Sequence, residues 1–557
     1  MIIGIDVGGT NIDGVIIHNK NIIRKVKNSV DKEDLFATIY NAIKELTQGV
    51  EKSKIQRINL STTISTNAIV EGKTEDVLLI IQSGPGIQNN FSESFKFLEE
   101  VDGYVDHRGV VVKELDIEEI KYIKTDRKYE HLDSAAIVTK FSTRNPESEI
   151  KIKKIFQEEY KYISTGHSLS GNLNFPRRVN TAYLNSSVSK VFSSFLDDIK
   201  NALEAEGITA PIYILKADGG TMDMKNAYSL PIQSILSGPA ASFMGISALE
   251  DTTEDSIYLD IGGTTTDIFF LVDGVPLFEP IGIEIDKLKT LVRSIYSYSI
   301  GLGGDSVVKI IDGKIKIGPE RLDRPMALGG KYPTVTDAMA VLDLINFGDK
   351  EKALTGMEKL SLVMNLDAIQ CSQSILQECG EIIFSTVEVL LNKINSKPLF
   401  TVKEVLEGKK LQPKEIKIIG GPAKILSKYI EERFDLNTIV TGNHEIANAI
   451  GAALSKPTFE INLHADTVNK ILSIPEENIY KNISSKFSLK DGRDLVFKYL
   501  KTKGKSSGEE NPDIEILEEN EFNMVDGWKF GKNIRIKGQV QPGLIYSMRG
   551  DNFESEK

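Results

Sequence analysis

The sequence repeats itself once, and the repeat limits what this chain can fold into. Asp6-Val7-Gly8-Gly9-Thr10-Asn11-Ile12-Asp13 returns as Asp260-Ile261-Gly262-Gly263-Thr264-Thr265-Thr266-Asp267. Asp, Gly, Gly, Thr and Asp coincide at the same spacing. Each copy is flanked by apolar β-type runs: residues 1–5 and 256–259 lead in, and residues 14–17 and 268–272 lead out. A strand, a tight turn with two glycines and a second strand make a β-hairpin. Each hairpin tip offers a carboxylate, backbone N–H groups and hydroxyls.

The rest of the chain alternates strands with helices, which predicts an α/β class. Residues 33–46 carry Leu35, Ile39, Ile43 and Leu46 on one helical stripe. Strands are expected at 58–61, 77–81 and 135–139, a long helix at 180–203, and a strand at 212–215 ending in Asp218-Gly219-Gly220. Residues 356–394 have few breakers and predict one or two helices. A strand at 416–419 ends at Gly420-Gly421-Pro422, and residues 445–454 predict an Ala-rich helix. Beyond about residue 456 the character changes: 501–512 reads as a polar linker and 533–546 alternates like β-structure. The expected division is an N-terminal lobe (1–175) with the first hairpin, a second lobe (176–455) with the second hairpin, and a small α/β appendage (456–557).

Composition removes several function classes. With 67 Lys and Arg against 79 Asp and Glu, the net charge is −12, and no basic stripe stands out for a nucleic-acid backbone. The two cysteines, Cys371 and Cys379, give no disulfide framework. The six histidines are scattered, so local zinc-binding pairs are missing. The N-terminus has no basic n-region or cleavage site, and no apolar run reaches the ~18 residues that span a bilayer. A cytoplasmic protein without nucleic-acid or membrane partners is expected.

The hairpins suggest a chemistry. Glycine lets a backbone approach phosphate oxygens closely, and exposed N–H groups form an anion-binding nest. This nominates Gly8, Gly9, Thr10 and Asn11 in the first copy, and Gly262, Gly263, Thr264 and Thr265 in the second. Asp6 and Asp260 cannot bind phosphate, but they can hold the hydrated Mg²⁺ that neutralises it. Gly420 and Gly421 read either as a strand-end turn or, beside two phosphate hairpins, as a flat surface for a nucleobase.

Taken together, these three turns resemble the phosphate and adenosine motifs of the actin, hexokinase and Hsp70-like ATPase superfamily. That resemblance implies a two-lobed fold with a duplicated mixed sheet, and ATP as cofactor. Further segments resemble the hydantoinase A/5-oxoprolinase family: Ser61-Thr62-Thr63-Ile64-Ser65-Thr66-Asn67-Ala68, Asn180-Thr181-Ala182-Tyr183-Leu184, Asp218-Gly219-Gly220, Leu236-Ser237-Gly238-Pro239-Ala240-Ala241 and Thr334-Val335-Thr336-Asp337-Ala338. Their order follows the family across residues 1–455. The resemblance implies ATP- and Mg²⁺-dependent opening of a cyclic amide or imide, such as a hydantoin or 5-oxoproline, activated by phosphorylation of its carbonyl oxygen. A B-like second subunit is an implied partner, and a homo-oligomer is expected. An ATPase acting on a protein, a small-molecule kinase and the ATP subunit of a ketone carboxylase are the alternatives.

Asp6, Asp260 and Asp218 are the expected catalytic carboxylates. Asp218 stands where the family usually has Asn, and reads equally as a general base, a second metal ligand or a strand-end turn. Thr63, Asn67, His167 and Ser237 are candidate substrate contacts, although Ser237 lacks the strained elbow and local histidine of a hydrolase nucleophile. Asn11-Ile12 replaces the usual Phe-Thr, and Arg321-Leu322-Asp323-Arg324-Pro325 replaces Pro-Ala-Cys-Tyr-Gly, so substrate identity does not transfer. Gly301-Leu302-Gly303-Gly304-Asp305 reads as a cleft-lining or mobile loop.

Overall fold

The computed structural model describes residues 1–9, 11–31, 33–87, 91–250, 253–279, 281–396 and 410–548. The chain forms two compact units: Met1–Gly238 with Ile281–Ser294 and Ala452–Ile545, and Pro239–Pro280 with Ile295–Gly451 and Tyr546–Lys557.

In the first unit the hairpin strands Ile2–Val7 and Asn11–His18 pair antiparallel, with Asp6 opposite Asp13. They belong to a six-stranded sheet ordered Thr221–Asp223, Ile212–Leu215, Arg57–Thr62, Ile2–Val7, Asn11–His18, Asn21–Ser29. Ile2–Val7, Arg57–Thr62 and Ile212–Leu215 run parallel. Helix Leu35–Thr47 starts where the Asp34 side chain accepts the Ala37 N–H, and its apolar stripe buries Ile39, Ala42, Ile43 and Leu46. Phe192, Phe195, Leu196 and Ile199 of helix Phe175–Ala205 complete that core. Each such side chain contributes roughly 1.5–3 kcal/mol by leaving water.

The second unit repeats this plan. Its sheet runs Val275–Pro276, Thr266–Val272, Ser256–Ile261, Glu415–Ile419, Asn437–Val440, and Ser297–Ile300 adds to Thr266–Val272. Again an antiparallel hairpin places two aspartates opposite each other, Asp260 and Asp267. Again the first hairpin strand continues into two parallel neighbours. The duplicated words of the sequence are therefore a duplicated topology. Residues 356–394 fall in two helices, Lys350–Met364 and Ala368–Asn395. The break is Asn365, left-handed at φ 55°, followed by a capping box between Asp367 and Gln370. Cys371 and Cys379 are buried beside Ile375, Leu376 and Ile383.

The first unit also holds a four-stranded parallel sheet ordered Tyr162–Thr165, Ser134–Thr139, Val77–Gln82, Leu98–Glu100. Its two central strands are buried along their whole length, as parallel strands covered on both faces must be. Val77, Leu79 and Ile81 pack towards Phe175, Val179 and Ala182. The alternate residues Leu78 and Ile80 pack with Ile120, Ile152 and Phe156.

Residues past 456 form a five-stranded antiparallel sheet with helix Leu489–Ser506 against it. The reading of 501–512 as linker is corrected over its first half. Ser488 and Asp491 form a capping box, and Gly492, Val496, Leu500 and Gly504 are a buried stripe, so the helix runs to Ser506. The polar residues that suggested a linker are its solvent face. Among the described residues no helix is long and apolar enough to cross a membrane.

Candidate functional site

At the first hairpin tip the Gly8 N–H donates to the Asn11 carbonyl at 3.0 Å, closing a four-residue turn. Asp6 is buried one residue before the strand end, and Asp13 opposite it pairs with Lys27 at 2.8 Å. Thr10 lies outside the described residues. The helix Ile64–Val70 starts beside this turn: the Thr63 N–H donates to the Val7 carbonyl at 3.2 Å, and Asn67 Nδ2 donates to Thr63 Oγ1 at 3.2 Å. A Cβ on Gly9 would stand 3.5 Å from Asn67 Nδ2, an ordinary contact. Thr63 and Asn67, nominated from a separate segment, are thus neighbours of the hairpin.

The second tip closes in the same way, Gly262 N–H to the Thr265 carbonyl at 2.9 Å. Asp260 accepts from Ser242 Oγ at 2.6 Å and from Asn448 Nδ2 at 3.4 Å. Burial, then the charge of Asp260, pushes the Asp267 carboxyl up to about 7, against one hydrogen bond from Ser299. Residues 301–305 brace this turn: Gly304 N–H donates to the Gly262 carbonyl at 3.0 Å and Asp305 N–H to the Gly263 carbonyl at 2.6 Å. Any Cβ on Gly303 would lie 2.5 Å from the Gly263 carbonyl carbon, so only glycine fits. Arg321 joins the same tip, with Nη2 2.9 Å from Asp305 and Nη1 donating to Thr264 Oγ1 at 3.3 Å. Burial pushes the Asp305 carboxyl up despite that arginine.

Gly420 adopts φ 100°, and a Cβ there would meet the Ile261 carbonyl at 2.1 Å. His444 closes its turn, donating from Nδ1 to the Gly420 carbonyl at 2.8 Å. Nothing lies within 4 Å of a Cβ on Gly421. In the second unit the hairpin, the Gly303–Asp305 brace and the Gly420–Gly421 turn are therefore one connected set. All of them are carried by the ends of adjacent strands.

Three nominated side chains are placed differently. Asp218, nominated as catalytic and read equally as a general base, a second metal ligand or a strand-end turn, lies buried in a turn. It accepts from Lys216 Nζ at 3.2 Å, Gly220 N–H at 3.0 Å and Thr458 Oγ1 at 3.0 Å. Burial raises its carboxyl, but Lys216, Arg293 and the hydrogen bonds hold it below the ordinary range. This geometry is the strand-end turn, with no side-chain oxygen left facing outward. His167 is buried, bonded through Nδ1 to Glu149 and through Nε2 to Asn478 Oδ1 at 2.9 Å. Glu149 is wholly buried; burial raises its carboxyl, and His167 and Arg178 more than offset this. Ser237 is buried too, its Oγ donating to the Thr62 carbonyl at 2.8 Å and accepting the Thr62 N–H at 3.2 Å. It pins the end of the strand that leads to Thr63.

The reading by residue type missed Ser242, Asp305, Arg321, His444 and Asn448. Signals for three were present. Ser242 directly follows the Leu236–Ala241 word, Asp305 ends the glycine loop, and Arg321 opens the segment that departs from the family pattern. His444 and Asn448 are joined to the site only by the fold.

The family model for the hydantoinase/oxoprolinase N-terminal region matches residues 2–160, and that for hydantoinase/oxoprolinase matches residues 178–461. The chain belongs to the hydantoinase/oxoprolinase family. It is 26% identical over 442 residues to the acetophenone carboxylase gamma subunit of Aromatoleum aromaticum, covering 67% of this chain and 58% of that one. It is 25% identical over 345 residues to 5-oxoprolinase 1 of Arabidopsis thaliana, covering 54% of this chain and 27% of that protein. The chain therefore spans a little over half of the one relative and about a quarter of the other. The fold is shared with the ATP-dependent caprolactamase of Pseudomonas jessenii, at TM-score 0.69 and 17% identity over 99% of this chain and 82% of that one. It is shared equally with a nucleotide-free acetone carboxylase, at TM-score 0.69 and 14% identity over 98% of this chain and 87% of that one.

Proposed function

We propose that this family member is an ATP- and Mg²⁺-dependent enzyme, or the ATPase subunit of one, that activates the carbonyl oxygen of a small cyclic amide or imide for ring opening. The observation that carries the proposal is the repeated turn. Gly8–Asn11 and Gly262–Thr265 close with the same hydrogen bond at the ends of equivalent strands. Glycines occupy both tips, where a side chain would cover the backbone N–H groups. Gly420–Gly421 offers the flat backbone that suits a base.

The donor set fits magnesium. Among the described residues no cluster of three or more His, Cys, Asp or Glu side chains could hold a metal. Mg²⁺ asks for less, since it keeps several waters and takes one or two carboxylates plus phosphate oxygens. Asp6 and Asp260 are the carboxylates proposed for that role. ATP and Mg²⁺ would supply the phosphoryl group that makes the amide oxygen a leaving group and the charge that neutralises it. The chain's own work is positioning. Ser242 and Asn448 orient Asp260, the Gly303–Asp305 brace fixes the second tip, and Asn67 and Thr63 stand beside the first. Arg321, paired with Asp305, is a donor suited to the growing charge on transferring oxygens.

The oxoprolinase relative and the caprolactamase fold support a lactam-type acceptor. A second reading, the ATP subunit of a ketone carboxylase, is supported by the carboxylase gamma subunit and shares the same carbonyl activation. Either reading admits a partner subunit for the later step. ATP hydrolysis measured with 5-oxoproline, hydantoin, caprolactam, or acetophenone with bicarbonate separates them. Stimulation by a cyclic amide alone supports the first reading; stimulation by the ketone alone replaces it with the second.

A further inference from the structure

We propose that the tip of the hairpin formed by strands Ile514–Asp526 and Lys529–Val540 is a self-association surface, which meets the same tip of a second copy of this chain. The two strands pair from Ile514 and Val540 out to Asp526 and Lys529. Their neighbour Phe459–Asp466 pairs only as far as Asn533. The turn after it reaches a little further: the Thr467 N–H donates to the Lys532 carbonyl at 3.0 Å, and a Cβ on Gly531 would stand 2.6 Å from Thr467 Oγ1. Beyond Gly531 the ribbon has two strands and no third among the described residues. That tip carries Val525, 65% exposed, Trp528, 96% exposed, and Phe530, 78% exposed. Val525 and Phe530 are direct partners in the ladder, so they share one face.

Neither the turn nor the core accounts for these side chains. Gly527, at φ 60°, is the first of the two turn residues, and glycine in that place is what a tight hairpin needs. Trp528, the second, adds nothing to the turn. Further in, Ile534 and Ile536 are buried with Val496 and Leu500 of helix Leu489–Ser506, a cover that the tip lacks. Single exposed apolar residues are ordinary on a protein surface. A valine, a phenylalanine and a tryptophan together at one tip have the composition of a contact surface, where aromatic residues are enriched.

Charge selects the occupant. The chain carries −12 overall, and the edge strand Ile514–Asp526 contains Glu515, Glu518, Glu519 and Glu521. Two copies meeting edge to edge would set these carboxylates against one another. The tip is different. Between 521 and 532 the sequence balances Glu521 and Asp526 with Lys529 and Lys532. Lys532 Nζ pairs with Glu521 at 2.6 Å, and by strand alternation both lie on the face of Val525 and Phe530. Two acidic chains therefore approach here without net repulsion, and like tips related by a two-fold axis each supply the apolar surface the other needs. An anionic lipid surface finds no excess of positive charge at the tip to attract it. A large aromatic side chain buries roughly 150–250 Å². At their exposures the three side chains offer on the order of 450 Å² per copy, about 900 Å² for the pair. That is below the roughly 1,200 Å² of a stable interface, so the association is weak and reversible.

Sedimentation velocity and tryptophan emission of the full chain, followed from about 1 µM to about 500 µM, test this. Trp528 is the single tryptophan of the sequence, so its emission reports on the tip alone. The mass should double and the emission should move to shorter wavelength over the same range of concentration. Phe530→Ser and Val525→Ser keep the fluorophore and, at exposed positions, should leave the melting temperature unchanged. Phe530→Ser should raise the dissociation constant of the dimer about tenfold or more. If it lowers the melting temperature, Val525→Ser decides in its place. A chain that stays monomeric throughout overturns the proposal. So does a dimer whose Trp528 emission does not move, or a folded variant that associates like the parent, since each puts the contact elsewhere. An emission shift that requires vesicles of phosphatidylcholine and phosphatidylserine, at a concentration where the chain is monomeric, assigns the tip to lipid and overturns it too.

Discussion

Replacing Asp267 by asparagine asks whether the second hairpin carries electrostatic strain that a bound cation would relieve. Burial, then the charge of Asp260, moves the Asp267 carboxyl from 3.8 to about 7. While both states are protonated, below pH 3.8, this costs the fold nothing. Between there and about 7 the unfolded chain ionises and the folded chain does not, so stability falls by about 1.4 kcal/mol per pH unit. Above 7 the loss is complete, on the order of 4 kcal/mol for this group. Asparagine does not ionise and carries no such pH dependence. The advantage of Asp267→Asn over the parent should therefore grow by about 2 kcal/mol between pH 5.5 and pH 8, and stay level beyond.

Thermal or urea melts of parent and variant at pH 5.5, 7 and 8, without magnesium and at constant ionic strength, read this directly. Asp260→Asn is the control. It removes the second cause but leaves burial, so it should flatten the pH dependence only in part. Added Mg²⁺ should stabilise the parent at pH 8 more than Asp267→Asn. A difference between parent and Asp267→Asn that is the same at all three pH values would refute the coupled-carboxylate account of the hairpin.

Other expectations concern the remaining groups. Gly9→Val and Gly263→Val should fold but weaken ATP binding at least about tenfold, measured by calorimetry, because the side chain would cover the N–H groups a phosphate needs. Retained affinity in both would remove the hairpins from the nucleotide site. Asp6→Asn and Asp260→Asn should lower the rate of ATP hydrolysis far more than ATP affinity, and the deficit should not be rescued by excess Mg²⁺. Asp218→Ala strands the buried Lys216 ammonium and should destabilise the first unit by about 3 kcal/mol while ATP affinity persists. Substrate-stimulated hydrolysis lost without any fall in melting temperature would return Asp218 to a catalytic role.

Much of the fold was legible because the repeat is a repeat of topology. Two hairpins with aspartates opposed across the ladder require only strand alternation and a glycine turn, and both are local. The helix Leu35–Thr47 and the strand Glu415–Ile419 were legible for the same reason. Residues 501–506 misled because their polarity belongs to the open face of a helix whose buried face carries only Gly492, Val496, Leu500 and Gly504. Asp218 misled in another way. A carboxylate beside two glycines looks the same in sequence whether it faces a ligand or is filled by Lys216 and Thr458, and Thr458 is 240 residues away. His167 and Ser237 share that ambiguity, since burial and partners are set by strands far along the chain.

The two hairpins share a backbone but not an electrostatic environment. Beside the first, strand Asn21–Ser29 places Lys27 directly opposite Asp13, and the two form an ion pair. Beside the second, the corresponding neighbour of Asp267 is Ser299 on strand Ser297–Ile300, which offers a hydroxyl and no charge. A lysine in that place would lower the Asp267 carboxyl as an opposite charge nearby does. Asp260 across the ladder accepts from Ser242 and Asn448. The duplication thus repeats one glycine turn, while Lys27 and Ser299 give its two aspartate pairs different surroundings.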